Sequence, residues 1–203
     1  VTISGLPAGA TIDLKIDPTN FNKIVLKDQI DKNRLIDVKH WGTTHWRSMS
    51  DAFEGCENLN ISATDVPDLS GVGSMLRMFK NCTSLNSPLN IGTWNVENVS
   101  HMGNMFEGAL AFNQPIGSWN VGEVTSMSVM FYGASAFNQD ISLWNVEKVS
   151  TMNFMFLEAS AFNQNLANWG SKLNSDMVLN GMLNNSGMDI ANYDATLTGF
   201  NTD

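Results

Sequence analysis

His40 and His45 flank Trp41-Gly42-Thr43-Thr44, and His101 is the only other histidine. Two imidazoles share a metal best from one face of an element, and an i, i+5 spacing does not put them on one face of a helix. No further His or Cys cluster follows to complete a ligand set. The expectation is therefore partly buried histidines beside neighbouring aromatic residues, holding no metal. Carboxylates are plentiful enough for a glycosidase pair, but no two stand in a special relation. Glu97, Glu123 and Glu147 recur where a solvated charge belongs. Asp65, Asp68 and Asp140 could join backbone carbonyls around calcium, yet no D-x-[DN]-x-[DN]-G loop accompanies them. Phosphate-cradling glycine loops and the G-x-S-x-G nucleophile turn are also absent. The expectation is no enzyme and no cofactor, with calcium kept as the one alternative ion.

Cys56 and Cys82 each lie three residues after a phenylalanine, where later segments carry Ala109, Ala134 and Ala159. One reading is a small buried residue in a stack. The other is a disulfide between adjacent units, for which parallel side-chain vectors give awkward geometry.

These residues sit in a chain dominated by one spacing. Trp94, Trp119, Trp144 and Trp169 are 25 residues apart, as are Phe106, Phe131 and Phe156. Phe112, Phe137 and Phe162 keep that period, each followed by Asn-Gln. Earlier steps are 26 and 27 residues, from Met49 to Met75 to Met102. Such periods signal repeat architectures in which each unit buries a strip against its neighbours. Within a unit, Val124, Met127, Met130, Phe131, Ala134 and Phe137 follow i, i+3, i+4 spacing, which predicts a short helix. The stretch from Phe137 to Ile141 reads as extended. The in-phase methionines from Met75 to Met155 read as core, because an unbranched thioether fills irregular gaps. Asn113, Asn138 and Asn163, with Asn60 and Asn86, read as a structural ladder satisfying backbone groups at a turn.

The expected fold is an α/β repeat solenoid. It is a leucine-rich-repeat-like right-handed coil, with a short-strand parallel sheet on one face, short helices on the other, and terminal caps. Residues 1–34 are read as an N-terminal β cap or the end of a preceding domain, with strands at Thr11–Ile16 and Asn22–Leu26. Residues 35–187 form about six units of 25–27 residues, and 188–203 form a C-terminal helical cap.

The 203 residues carry a net charge of −9, unevenly spread. Residues 48–203 hold fifteen acids against Arg77, Lys80, Lys148 and Lys172. A surface so poor in cations argues against nucleic acid. No apolar run approaches a membrane span. The segment is expected to be a monomeric piece of a longer polypeptide.

The block from Val124 to Val146 resembles the repeat of BspA-like leucine-rich-repeat surface proteins, in the form found in bacterial surface proteins and mycoplasma lipoproteins. The shared pattern is Met-x-x-Met-Phe, a small residue, Phe-Asn-Gln, then Trp. Residues 94–169 match closely, earlier copies substitute Leu59 and Leu85, and the last copy is degenerate. The resemblance implies a secreted or cell-surface protein, adhesion or protein contact, and no catalytic residues.

Three functional classes follow. The leading expectation is an extracellular recognition or adhesion module binding a protein or a host-cell-surface ligand. Its candidate binding face is Gln114, Gln139, Asp140, Ser142, Gln164 and Asn165, outward positions on a constant frame. A carbohydrate-binding module would need exposed aromatic platforms, for which Tyr132, Tyr193, Trp41 and Trp46 are the candidates. A structural spacer would show a bland hydrated face.

Overall fold

The structure, a computed structural model, describes residues 11–201. The part of the N-terminal cap reading that falls on residues 1–10 lies outside those residues. Thr11–Ile16 forms no strand, and its alternating Ile12, Leu14 and Ile16 are exposed. In Asn22–Leu26 the extended reading is reduced to one parallel bridge, Lys23 with Ser48.

Two strands are present among the described residues. β1 (Asp37–Val38) and β2 (Asn60–Ile61) pair in parallel, Asp37 beside Asn60 and Val38 beside Ile61. The one α-helix among them is α1 (Ile190–Phe200). Short 3-10 segments occur at Pro18–Asn20, Lys32–Arg34, Ile91–Thr93 and Ala167–Lys172. The expected leucine-rich-repeat-like coil, with a sheet on one face and helices on the other, is overturned by these assignments. Residues between β2 and α1 are mostly turns and irregular loops.

The physical reason lies in what the Met and Phe spacing encodes. Met105 N–H donates to Met102 O (3.2 Å), Ala109 N–H to Phe106 O (3.1 Å) and Phe112 N–H to Ala109 O (3.1 Å). Each bond closes a tight turn of three residues' span. Consecutive turns return a side chain to the same side at i+3, which mimics a helix's apolar face. A right-handed helix cannot continue here, because Asn104 and Gly108 have φ of 57° and 66°. The same two turn positions are left-handed at Asp51 and Gly55, Arg77 and Asn81, Val129 and Gly133, and Phe154 and Glu158.

Backbone groups that a helix would satisfy internally are satisfied by the following segment instead. Met102, Asn104, Phe106 and Gly108 donate their N–H groups to the carbonyls of Ser126, Ser128, Met130 and Tyr132, at 2.8–3.1 Å. Met127, Val129, Phe131 and Gly133 repeat this onto Thr151, Asn153, Met155 and Leu157. Left-handed residues interrupt any extended run, so the strand signal shrinks to single bridges such as His101 with Ser126 and Ser126 with Thr151.

Between the segments lies one apolar cluster. Met75, Met78, Met102, Met105, Met127, Met130, Met152 and Met155 are fully buried, as expected of core methionines. Phe106, Phe131 and Phe156 stack with centroids 5.6 and 5.7 Å apart and planes within 5°. Full burial of one such side chain contributes roughly 1.5–3 kcal/mol.

α1 starts at an Asp189 cap, whose side chain accepts from Asn192 N–H at 2.8 Å. It packs on Ala167–Lys172. Buried Thr196 Oγ1 accepts from Leu166 N–H at 3.0 Å. The backbones approach so closely that a Cβ on Gly170 would lie 1.7 Å from Gly199 O.

Candidate functional site

Four of the six candidate residues come together. Asp140, Ser142, Gln164 and Asn165 line a shallow concavity of about 270 Å³ with Ala167 and Asn168. The turns that expose them are fixed locally. Asp140 Oδ1 accepts from Ser142 N–H at 2.9 Å, and Asn165 Oδ1 accepts from Ala167 N–H at 2.8 Å. Hydrogen bonds from the Ser142 backbone and then its hydroxyl hold the Asp140 carboxyl below its usual range. Asp140 therefore presents an exposed negative charge at neutral pH.

The three glutamines are spent on the frame. Gln114 is buried rather than outward-facing, and its Nε2 donates to Asn86 O and Oδ1 at 2.9 and 2.8 Å. Gln139 binds Asn113 in the same way and Gln164 binds Asn138. Each of these asparagines also accepts a backbone N–H through Oδ1. Asn86 accepts from Asn113, Asn113 from Asn138, Asn138 from Asn163 and Asn163 from Asp189, at 2.9–3.0 Å. At the end Asn192 replaces the glutamine, donating Nδ2 to Asn163 O and Oδ1. The Asn-Gln motif is thus an amide ladder. Its glutamines offer little free polarity to a partner.

Other chemistry-bearing groups are dispersed or occupied. His40 and His45 are exposed, not tucked beside the aromatic residues, and each faces an aspartate, Asp65 and Asp68 respectively. Asp65 also accepts from the backbone N–H groups of Trp41 and Gly42. Burial works to raise the Asp65 pKa, but the Gly42, Trp41 and Asp65 N–H groups, with His40, bring it below the ordinary value. Asp68 accepts from Ser70, so the three aspartates considered for calcium serve separate turns. Among the described residues no three of His, Cys, Asp and Glu gather as a metal site.

Cys56 and Cys82 are buried free thiols. Burial pushes the Cys56 thiol up to about 11, with Lys32 pulling weakly against it. Cys82 is pushed up further, again by burial, and its Sγ donates to Phe53 O at 3.1 Å. Both thiols are protonated near neutral pH, which makes them poor nucleophiles.

A charged strip escaped sequence reasoning. Arg77 Nε lies 2.7 Å from Asp51 Oδ1 and 3.5 Å from Glu54 Oε2, and Lys80 Nζ lies 2.9 Å from Glu107 Oε2. The signal was available as opposite charges one period apart, Asp51 with Arg77 and Lys80 with Glu107. No helix among the described residues is long and apolar enough to cross a membrane.

Residues 19–120 and 74–193 match a family described as "Mycoplasma protein of unknown function, DUF285". No curated protein and no solved structure matches the chain. Since the two family matches together span residues 19–193, most of the sequence, the chain belongs to the DUF285 family.

Proposed function

We propose that the chain is a non-enzymatic recognition or adhesion module of an extracellular or cell-surface protein, and that its partners are proteins. The resemblance of the Met-x-x-Met-Phe, Phe-Asn-Gln and Trp pattern to BspA-like surface repeats supports the location. The observation that carries the reading is the corner at Asp140, Ser142 and Asn165. Its polar atoms stand on turns braced by the half-buried amide ladder. The equivalent residues differ from unit to unit: Pro115 and Gly117 stand where Asp140 and Ser142 do one period later. A rigid frame with changing outward groups suits recognition of a preformed surface, because little ordering entropy is lost on binding.

Carbohydrate binding has less support. Sugar-stacking platforms need exposed aromatic faces, and all six tryptophans are buried, including Trp41 and Trp46. Tyr193 is exposed and Tyr132 half-buried.

The test is saturable binding of the purified chain on paired protein and glycan arrays, with and without calcium. Binding to a protein that weakens at least about tenfold, or 1.4 kcal/mol, in an Asp140→Ala, Asn165→Ala variant supports the proposal. Glycan-only binding would favour the carbohydrate alternative. Silence on both arrays would leave the spacer role and reject recognition.

A further inference from the structure

A second surface lies on the turn segments and shares no residue with the Asp140 corner. Two positions per segment point outward there, and their chemistry changes along the chain. They are Asp51 and Glu54, then Arg77 and Lys80, then Asn104 and Glu107. In the next two segments they become Val129 and Tyr132, then Phe154 and Leu157. Val129 N–H donates to Asn153 O and Gly133 N–H to Leu157 O, so these two segments lie side by side. Phe154 is 43% exposed, while Val129, Tyr132 and Leu157 are half-buried.

The backbone beneath this patch is unfavourable for the residues it carries. Val129 and Phe154 have φ of 63° and 56°. Left-handed backbone suits Gly, Asn or Asp, and a β-branched or bulky residue there is an outlier. Equivalent positions hold Asp51, Asn104 and Gly181. Arg77 is also left-handed, but its guanidinium is held by Asp51 and Glu54. Glu158 has φ of 60° where other segments place Gly or Asn. It is exposed, and no ion pair is formed by it among the described residues. Strain kept at the half-buried Val129 and the exposed Phe154 points to a use outside the fold.

Charge specifies that use. Among residues 48–203, Arg77, Lys80 and Lys148 are already ion-paired, and Lys172 Nζ is bound to Trp144 O. The excess of fifteen acids over four cations in this stretch is therefore unmatched within it. We propose that Val129, Tyr132, Phe154 and Leu157, rimmed by Glu158, form a docking surface for a protein segment that presents an aliphatic or aromatic side chain beside lysine or arginine.

The probes are short fluorescein-labelled peptides with a central Leu-Trp flanked by lysines, serines or glutamates, titrated by anisotropy. Lysine-flanked peptides are expected to bind at least about tenfold more tightly than glutamate-flanked ones. A Val129→Asn, Phe154→Asn variant should lose that binding while its Tm stays or rises, because Asn already serves this turn at Asn104. Glu158→Asn should narrow the preference for lysine. The Asp140→Ala, Asn165→Ala variant should bind these peptides normally, so failure of this proposal is distinct from failure of the corner. No binding of lysine-flanked peptides, or unchanged binding by the Val129/Phe154 variant, overturns the proposal. A concentration-dependent dimer in sedimentation that this variant abolishes would assign the face to a second copy of the chain, and also overturns it.

Discussion

Six buried indoles divide this molecule into two regions. Trp119, Trp144 and Trp169 each donate Nε1–H to a carbonyl 28 residues earlier, those of Ile91, Ile116 and Ile141, at 2.8–3.2 Å. Among the described residues the buried Nε1 atoms of Trp41, Trp46 and Trp94 have no partner. Ring geometry divides in the same place. Trp119 and Trp144 are parallel within 5° and Phe137 and Phe162 within 1°. Trp41 meets Trp46 at 86° and Trp94 at 88°. The constant 25-residue step puts each indole over an equivalent carbonyl, whereas steps of 26 and 27 shift that register. The earlier region uses other bonds, namely the Asp51–Arg77–Glu54 and Lys80–Glu107 ion pairs. Partly exposed ion pairs of this kind contribute about 0–1 kcal/mol each. A buried unmet donor costs about 1–3 kcal/mol. The difference implies that residues 102–169 are the more stable part.

Trp144→Ala is the harshest test of that difference and should cost roughly 3–5 kcal/mol in urea unfolding. A near-neutral result would remove the indole row from the core. Trp144→Phe and Trp94→Phe compare the regions directly. The first breaks a bond and leaves the Ile116 carbonyl with the Trp119 N–H alone, so its cost should exceed the second's by about 1 kcal/mol. Equal costs would erase the distinction. Asn138→Ala leaves the Asn163 N–H without its acceptor and the Gln164 amide with the Asn138 backbone carbonyl alone, with an expected loss of about 1–3 kcal/mol. Thiol labelling gives a kinetic check on the earlier region. Cys56 and Cys82 should resist iodoacetamide at pH 8 until denaturant is added, and rapid native labelling would contradict their burial.

The smallest effect concerns pH. Asp65 has a folded pKa below its unfolded one. Its contribution is therefore fully present above the unfolded value, near the ordinary carboxylate range, and is lost as pH falls through the folded value. Asp65→Asn should flatten the acid limb of the Tm–pH profile slightly and leave neutral pH behaviour unchanged in shape. A flattening above pH 6 would have the wrong sign.

Burial was legible in the sequence because Met, Phe and Trp recur in fixed phase and have nowhere to go but inward. The Asn ladder was legible for a similar reason, since a polar residue repeated beside a core phenylalanine must satisfy something. Secondary structure within the repeat units was not, whereas the helix read within 188–203 is α1. Spacing at i and i+3 arises from helices and from chained tight turns alike. Gly108 and Gly133 marked one left-handed position, but Val129 and Phe154 disguised the other. Of the corner, Asp140, Ser142 and Asn165 were legible as variable positions. Gln114 was misjudged, because outward polarity and an amide spent on a neighbouring backbone look identical in one sequence.

Amide hydrogen exchange across 102–159 tests the central claim, that these segments are turns bonded to their neighbours rather than helices. Asn104, Val129 and Phe154 donate to Ser128, Asn153 and Asn180 and should exchange slowly. Among the described residues Gly103, Ser128 and Asn153 make no backbone bond through their N–H groups, and they should exchange fast. Uniform protection running through Met102–Phe112 and Met127–Phe137 would mean helices, and would contradict the account.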